Sequence, residues 1–316
     1  MNEPNTKALQ EVWRGGVNAW ECDEMGHMNT RFYVARSTEA LAVLFGMQGL
    51  PGLFSPASAT TVVIREQHIR FHKEARAAAP LHMSGGFVDI GDATTSVVLV
   101  MHHSLSGHLA ATFRFRLAHV DAQDGETPVP WPAAFRDNVT TNRIPLPNEA
   151  APRSVGDDPV VPTVSRHRAV ELGLTRIAMG MIGPEGCDPF GRMQPQKFTG
   201  AISDGVRQLT APLREIIARN AELVPSRFGG AVLEFRILHL GWPRAGDCFE
   251  IRSGFQGADQ RTMSLVHWMV DPLSDRVWGS VQLVAIVLDL DTRKIVPISA
   301  AAARELAPNA ISGLKL

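Results

Sequence analysis

A near-repeat of eight residues constrains this chain more than any other feature. Shifting the sequence by 165 positions lays Cys22-Asp23-Glu24-Met25-Gly26-His27-Met28-Asn29 over Cys187-Asp188-Pro189-Phe190-Gly191-Arg192-Met193-Gln194, with Cys, Asp, Gly and Met shared. Repetition at a long fixed spacing marks a duplicated structural unit, so any fold has to be built twice. The segments after the two strings match as well. Apolar spacing predicts a helix over about Thr30 to Gly46, with Phe32, Tyr33, Leu41, Leu44 and Phe45 on its buried stripe. A second helix is predicted from near Pro195, a residue suited to a first helical turn. It carries Phe198, Ile202, Val206, Leu209 and Leu213, with Pro212 expected to kink or end it. Glu39 and Asp204 each lie sixteen residues beyond their aspartates, inside these helices.

Strand patterns come next in both halves. "ATFRFRLAHV" alternates Phe113, Phe115 and Leu117 with Arg114 and Arg116, the period of a half-exposed strand. "AVLEFRILHL", "CFEIRSGF", "RTMSLVHWMV" and "WGSVQLVAIVLDLD" answer in the second half. At a spacing of 168, Ser96 falls on Ser264, Val98 on Val266, Phe113 on Val281 and Asp121 on Asp289. Asp121 to Pro162 holds eight prolines and little periodicity, the composition of a linker. The expected domains are therefore residues 1–120, a linker at 121–162, and residues 163–316, in an α+β chain. The terminal "SAAAARELAPN" is a candidate short helix.

Composition removes several classes of function. A formal net charge of −1 over 316 residues gives no basic field for nucleic acid. The first sixteen residues lack the apolar core of a leader peptide, and no run approaches a membrane span. Three scattered cysteines, Cys22, Cys187 and Cys248, make neither a disulfide framework nor a zinc cage, so a cytoplasmic setting is expected. His68 with His72, and His102 with His103, fall in strand-like segments without metal-ligand spacing, and no metal site is expected. There is no GxxxxGKS/T loop, Gly-rich dinucleotide turn or GxSxG elbow.

One long helix followed by an antiparallel sheet, twice, with Asp-x-x-Gly before each helix, resembles the hotdog-fold acyl-CoA thioesterases. Asp23-Glu24-Met25-Gly26-His27-Met28-Asn29 with Tyr33 is similar to the Asp-x-x-Gly-His-x-Asn-x-x-x-Tyr pattern of the 4-hydroxybenzoyl-CoA thioesterase-like branch. Cys187-Asp188-Pro189-Phe190-Gly191 resembles a Cys-Asp-Pro-x-Gly form of that pattern. The resemblance spans the chain apart from its linker and ends, and implies a double hotdog, one chain standing for a dimer of single units. The second repeat departs from it at Arg192, Gln194 and Phe198, which replace His27, Asn29 and Tyr33.

Thioester hydrolysis needs a nucleophile or base at the carbonyl carbon and donors where the oxyanion forms. A carboxylate in a turn entering a helix suits the first role, so Asp23 and Asp188 are the candidates, with His27 as a carbonyl-orienting or acid group. The helix-start backbones at Gly26–Met28 and Gly191–Met193 suit the second. Asn29 and Arg192 are candidate substrate contacts, with capping the alternative for Asn29. Glu39 and Asp204 match where another hotdog branch holds its acid, and pairs with Arg36 or Arg207 are their alternative. The basic group Arg65, Arg70, Lys73 and Arg76 would meet coenzyme A phosphates or be a solvated strand face. Coenzyme A enters as part of the substrate, with no retained cofactor, the acyl chain lying between the repeats. A homodimer of double-hotdog chains is the expected assembly. Two other functions remain open: an acyl-thioester dehydratase or hydratase using His27 with Glu39, and a non-catalytic acyl-CoA-binding protein.

Overall fold

The computed structural model describes residues 9–316. Residues 1–8, the start of the segment read for a leader, lie outside the described residues. Two compact units divide the chain near residue 151, the short segment Asp188–Gly191 being grouped with the first.

The first unit opens with β1 (Gln10–Gly16) and a tight turn, then α1 (Thr30–Met47). β2 (Thr60–Phe71), β3 (Pro80–Ile90), β4 (Thr94–His103) and β5 (Leu109–Asp121) come after it, and α2 (Ala133–Asn142) closes the unit. The strands run in the order β1-β3-β4-β5-β2, every neighbour antiparallel. Asn29 starts α1 as its cap, its side chain accepting the Arg31 N–H at 3.0 Å. Tyr33, Val34, Ser37, Ala40, Leu41, Leu44 and Phe45 form the buried face. Phe32 is only half-buried and carries the Arg31 guanidinium over its ring, so the stripe runs through Val34 and Ala40 instead. Phe45 meets Phe87 of β3 edge-on at 5.2 Å, which fixes the far end of α1 on the sheet. Tyr33 meets Phe71 of β2 at 5.1 Å, which fixes the near end.

The second unit holds α3 (Arg166–Glu171), β6 (Thr175–Met181), α4 (Pro195–Gly205), α5 (Arg207–Arg219) and β7 (Phe228–His239). β8 (Cys248–Ala258), β9 (Met263–Val270), β10 (Val277–Asp289) and α6 (Ala300–Leu306) complete it. Its strand order, β6-β8-β9-β10-β7, is that of the first unit. Each unit is a hotdog, a helix held against an antiparallel sheet, and the chain is a double hotdog of the α+β class. The offset of 168 carries β2, β3 and β5 onto β7, β8 and β10 end for end. Register breaks coincide as well. Val12, Arg65 and Val88 are skipped in the first sheet, and Ile177, Leu233 and Gln256 in the second. Ala110 and Trp278 are a fourth such pair, and since a bulge bends its strand at a fixed place, the matched bulges give the two sheets the same curvature.

Two sequence expectations need correction. The second helix breaks at Val206, with Pro212 lying inside α5. The cause sits one residue earlier, because a side chain on Gly205 would stand 2.1 Å from the Ile177 carbonyl oxygen. Glycine there lets α4 run against β6 before the axis changes. The proline-rich 121–162 stretch is also not plain linker. Trp131, Phe135 and Val139 are buried, and the Trp131 and Phe135 rings stack on Phe45 at 5.6 and 5.7 Å. Three apolar anchors four residues apart are enough to dock α2, while the prolines mark its flanks. α6 is the short C-terminal helix, capped by Ser299 to the Ala302 N–H at 3.1 Å. No helix among the described residues is long and apolar enough to cross a membrane.

Candidate active site

Asp23 sits in a turn closed by its own backbone. Its N–H donates to the His27 carbonyl at 2.7 Å, and the Gly26 N–H returns to the Asp23 carbonyl at 3.0 Å. Gly26 has φ +78° with open space around it, so glycine is required by backbone conformation rather than by crowding. Oδ1 of Asp23 accepts the N–H groups of Met25 and His27 at 2.9 and 3.1 Å. Oδ2 has no hydrogen bond among the described residues. One oxygen therefore holds the turn and the other is available for chemistry.

The Gly26–Met28 backbone does not supply open donors. The Gly26 N–H goes to Asp23, that of His27 to Oδ1, and that of Met28 to the Ala75 carbonyl at 2.8 Å. Asn29 donates its N–H to Glu21 and Phe32 returns to Asn29. Among the described residues, the donor left over is the Thr30 N–H at the first position of α1, seven residues beyond Asp23. A helix leaves its first N–H groups without internal partners, and the helix dipole adds positive potential there.

His27 is buried, and its Nε2 lies 3.1 Å from Oε2 of Glu74, which also approaches Arg76 at 3.8 Å. Glu74 comes from the strap between β2 and β3. The same strap hands the Ala75 N–H to the Tyr33 hydroxyl at 3.2 Å. Burial pushes the pKa of that phenol well above its ordinary value, so the hydroxyl stays protonated.

The second turn has the same backbone. Gly191 has φ +77° and returns its N–H to the Asp188 carbonyl at 2.9 Å, and Asp188 Oδ1 accepts from Phe190 at 2.9 Å. Met193 donates to the Pro243 carbonyl at 2.7 Å. Arg192 is buried and bridges Arg244 as His27 bridges Arg76. Gln194 turns its amide onto the Cys187 carbonyl rather than capping the helix.

A model of one protein family matches residues 17–139 and again 182–306, each stretch holding one of these turns. The chain belongs to the Thioesterase-like superfamily. The match covers both repeats, and this thioesterase-like chain is accordingly an enzyme of the thioester-hydrolase class. Solved structures agree on the fold. A Lactobacillus plantarum structure named for an oleoyl thioesterase shares 11% identity over 89% of this chain and 97% of its own, with a TM-score of 0.65. An acyl-ACP thioesterase from Bacteroides thetaiotaomicron shares 10% over 86% and 96%, at 0.62. The 12:0-ACP thioesterase of Umbellularia californica shares 8% over 86% and 92%, at 0.63. No curated protein sequence matches the chain.

Within the thioesterase-like chain, several candidates fall away from the turns. Glu39 is committed elsewhere, Oε2 to the Trp13 indole at 2.8 Å and Oε1 to Arg36 at 2.7 Å. Arg36 also clasps Glu21, so these residues brace β1 and the turn against α1. A His27–Glu39 acid/base pair does not form, since Glu74 takes the histidine. Asp204 is exposed, with no hydrogen bond or ion pair among the described residues. The basic group disperses: Arg70 donates to the Glu149 and Ala151 carbonyls at 2.9 Å, and Lys73 contacts His108. No group of three or more His, Cys, Asp or Glu able to hold a metal occurs among the described residues. Glu74, beside His27, and the Thr30 amide, at the end of the turn, were not among the residues expected from the sequence. Thr30 was recoverable, since an Asn29 cap makes it the first helical residue. Glu74 was not, because its contact spans 47 residues of chain and carries no local signature.

Proposed function

We propose that the chain hydrolyses acyl-CoA thioesters at the Asp23 turn. One observation carries the proposal: a half-engaged carboxylate and an unpaired helix-start amide belong to the same turn. Oδ2 of Asp23 attacks the carbonyl carbon or takes a proton from attacking water, and either route puts negative charge on the carbonyl oxygen. The Thr30 N–H is the donor for that oxygen. Direct attack expels the coenzyme A thiolate and leaves a mixed anhydride, which water then cleaves to the acid. Water activation reaches the same products without the anhydride. His27, held by Glu74, orients the substrate carbonyl. The full Asp23-to-Tyr33 pattern favours the 4-hydroxybenzoyl-CoA thioesterase-like branch.

The test is thiol release from a panel of acyl-CoAs, with acyl-ACPs included because two structural neighbours are named for them. Enoyl absorbance is followed in parallel. Thiol release with at least one acyl-CoA is expected. Loss of enoyl signal without thiol would overturn the proposal in favour of a dehydratase, and binding without either change in favour of a carrier.

A further inference from the structure

The two turns share a backbone but not a donor. Position 30 is the first residue of α1 and presents an N–H without a hydrogen-bond partner among the described residues. The corresponding first residue of α4 is Pro195, which has no N–H. The offset is secure, because Cys22 bridges Met28 as Cys187 bridges Met193, and Asn29 bonds Glu21 as Gln194 bonds Gly186. Among the described residues, the second repeat leaves the Gln196 N–H open instead. That amide is one residue later, about 100° further round the helix axis, and cannot meet the same oxygen.

The other members of the first site are replaced too. His27 becomes Arg192, and Glu74 becomes Trp242, whose ring stacks on His239 at 4.7 Å. The bond from the Ala75 N–H to the Tyr33 hydroxyl vanishes from both ends, with Phe198 in place of the phenol and Pro243 in place of the amide. Removing both partners of a buried hydrogen bond costs little, whereas removing one leaves an unsatisfied group. The second repeat has kept its fold by paired replacement while losing the donor, the histidine and the carboxylate around it.

Resting on the hydrolase proposal above, we infer that the chain has one hydrolytic site, in the first repeat, and that Pro195 is what closes the second turn to the reaction. Asp188 then serves its turn through Oδ1, a task that asparagine performs equally well.

The decisive comparison uses full-length Thr30→Pro and Asp188→Asn, each with a melting curve, on whichever acyl-CoA the parent enzyme hydrolyses. Thr30→Pro copies the second repeat into the first, at a helix position that accepts proline. It is expected to lower kcat by about 10²- to 10³-fold, the usual effect of losing an oxyanion donor, with KM and melting temperature little changed. Asp188→Asn is expected to change kcat by less than about threefold. A Thr30→Pro enzyme that melts normally and keeps its kcat would overturn the assignment, as would a large fall of kcat in Asp188→Asn. The second variant decides alone if the first does not fold. A parent enzyme that releases thiol from no acyl-CoA would overturn the hydrolase reading itself, and this inference with it.

Discussion

His27 meets a carboxylate that reaches it from beyond the far end of β2. Glu74 is 37% exposed at its side chain while His27 is 8%, so the pair is wet on one side only. Exposed ion pairs contribute about 0–1 kcal/mol to stability, and the value of this contact lies in fixing the ring. Glu74→Ala is therefore expected to lower kcat by roughly ten- to a hundredfold, the size of effect a small misplacement produces. Melting temperature should stay within a few degrees, and Glu74→Gln, which keeps an acceptor, should recover most of the rate. Equal kcat in Glu74→Ala and the parent would show that His27 needs no partner. At the same scale, the carboxylate at Asp23 was legible because Asp-x-x-Gly before a cap is a local pattern. The neighbours that complete it come from elsewhere in the chain, and spacing alone does not locate them.

Among the elements, α1 couples the Asp23 turn to the core. Its first turn carries the Thr30 amide and Tyr33, and its last turn carries Phe45. Four aromatic neighbours surround Phe45: Phe54, Phe87, Trp131 and Phe135. Phe45→Ala should cost about 3–5 kcal/mol, the range for large cavities in a packed core, read as a fall in the denaturant midpoint with an unchanged slope. A cost below about 1 kcal/mol would mean that α2 closes over the gap and that the cluster is not rigid. The helices themselves could be read from sequence because their apolar spacing is internal. α2 could not, since its stripe of Phe135 and Val139 is short and hidden among prolines, and only docking on Phe45 makes it a helix worth forming. The break at Val206 was misplaced for a similar reason: the constraint on Gly205 comes from β6, about thirty residues earlier in the chain.

At the scale of the whole molecule, duplication was written in the sequence almost completely. Strand for strand and bulge for bulge the two copies match, at an offset of 165 through β1 and its turn and of 168 from β2 onward, because sheet curvature is set by local register that each repeat carries for itself. Divergence shows instead in the polar groups placed inside each copy. His267 of β9 is fully buried, with Nδ1 2.7 Å from the Ser253 hydroxyl, and burial pushes its pKa down to about 3. Unfolded, the same ring titrates near 6.5. Between those values the unfolded chain binds a proton that the folded chain excludes. The stability contributed by the neutral ring is thus complete above about pH 6.5 and is lost as pH falls towards 3, by up to about 1.4 kcal/mol per pH unit. His267→Gln should flatten the acid side of the melting-temperature profile by that amount, and an unchanged slope would locate acid sensitivity elsewhere. Hydrolysis at the Asp23 turn of the other repeat is put to the test by thiol release from an acyl-CoA by Asp23→Asn beside the parent enzyme. Asparagine keeps the Oδ1 acceptor that holds the turn, so an intact melting temperature, a similar KM and a kcat lower by about 10²–10⁴-fold are expected; a kcat within about threefold of the parent would contradict a catalytic Asp23.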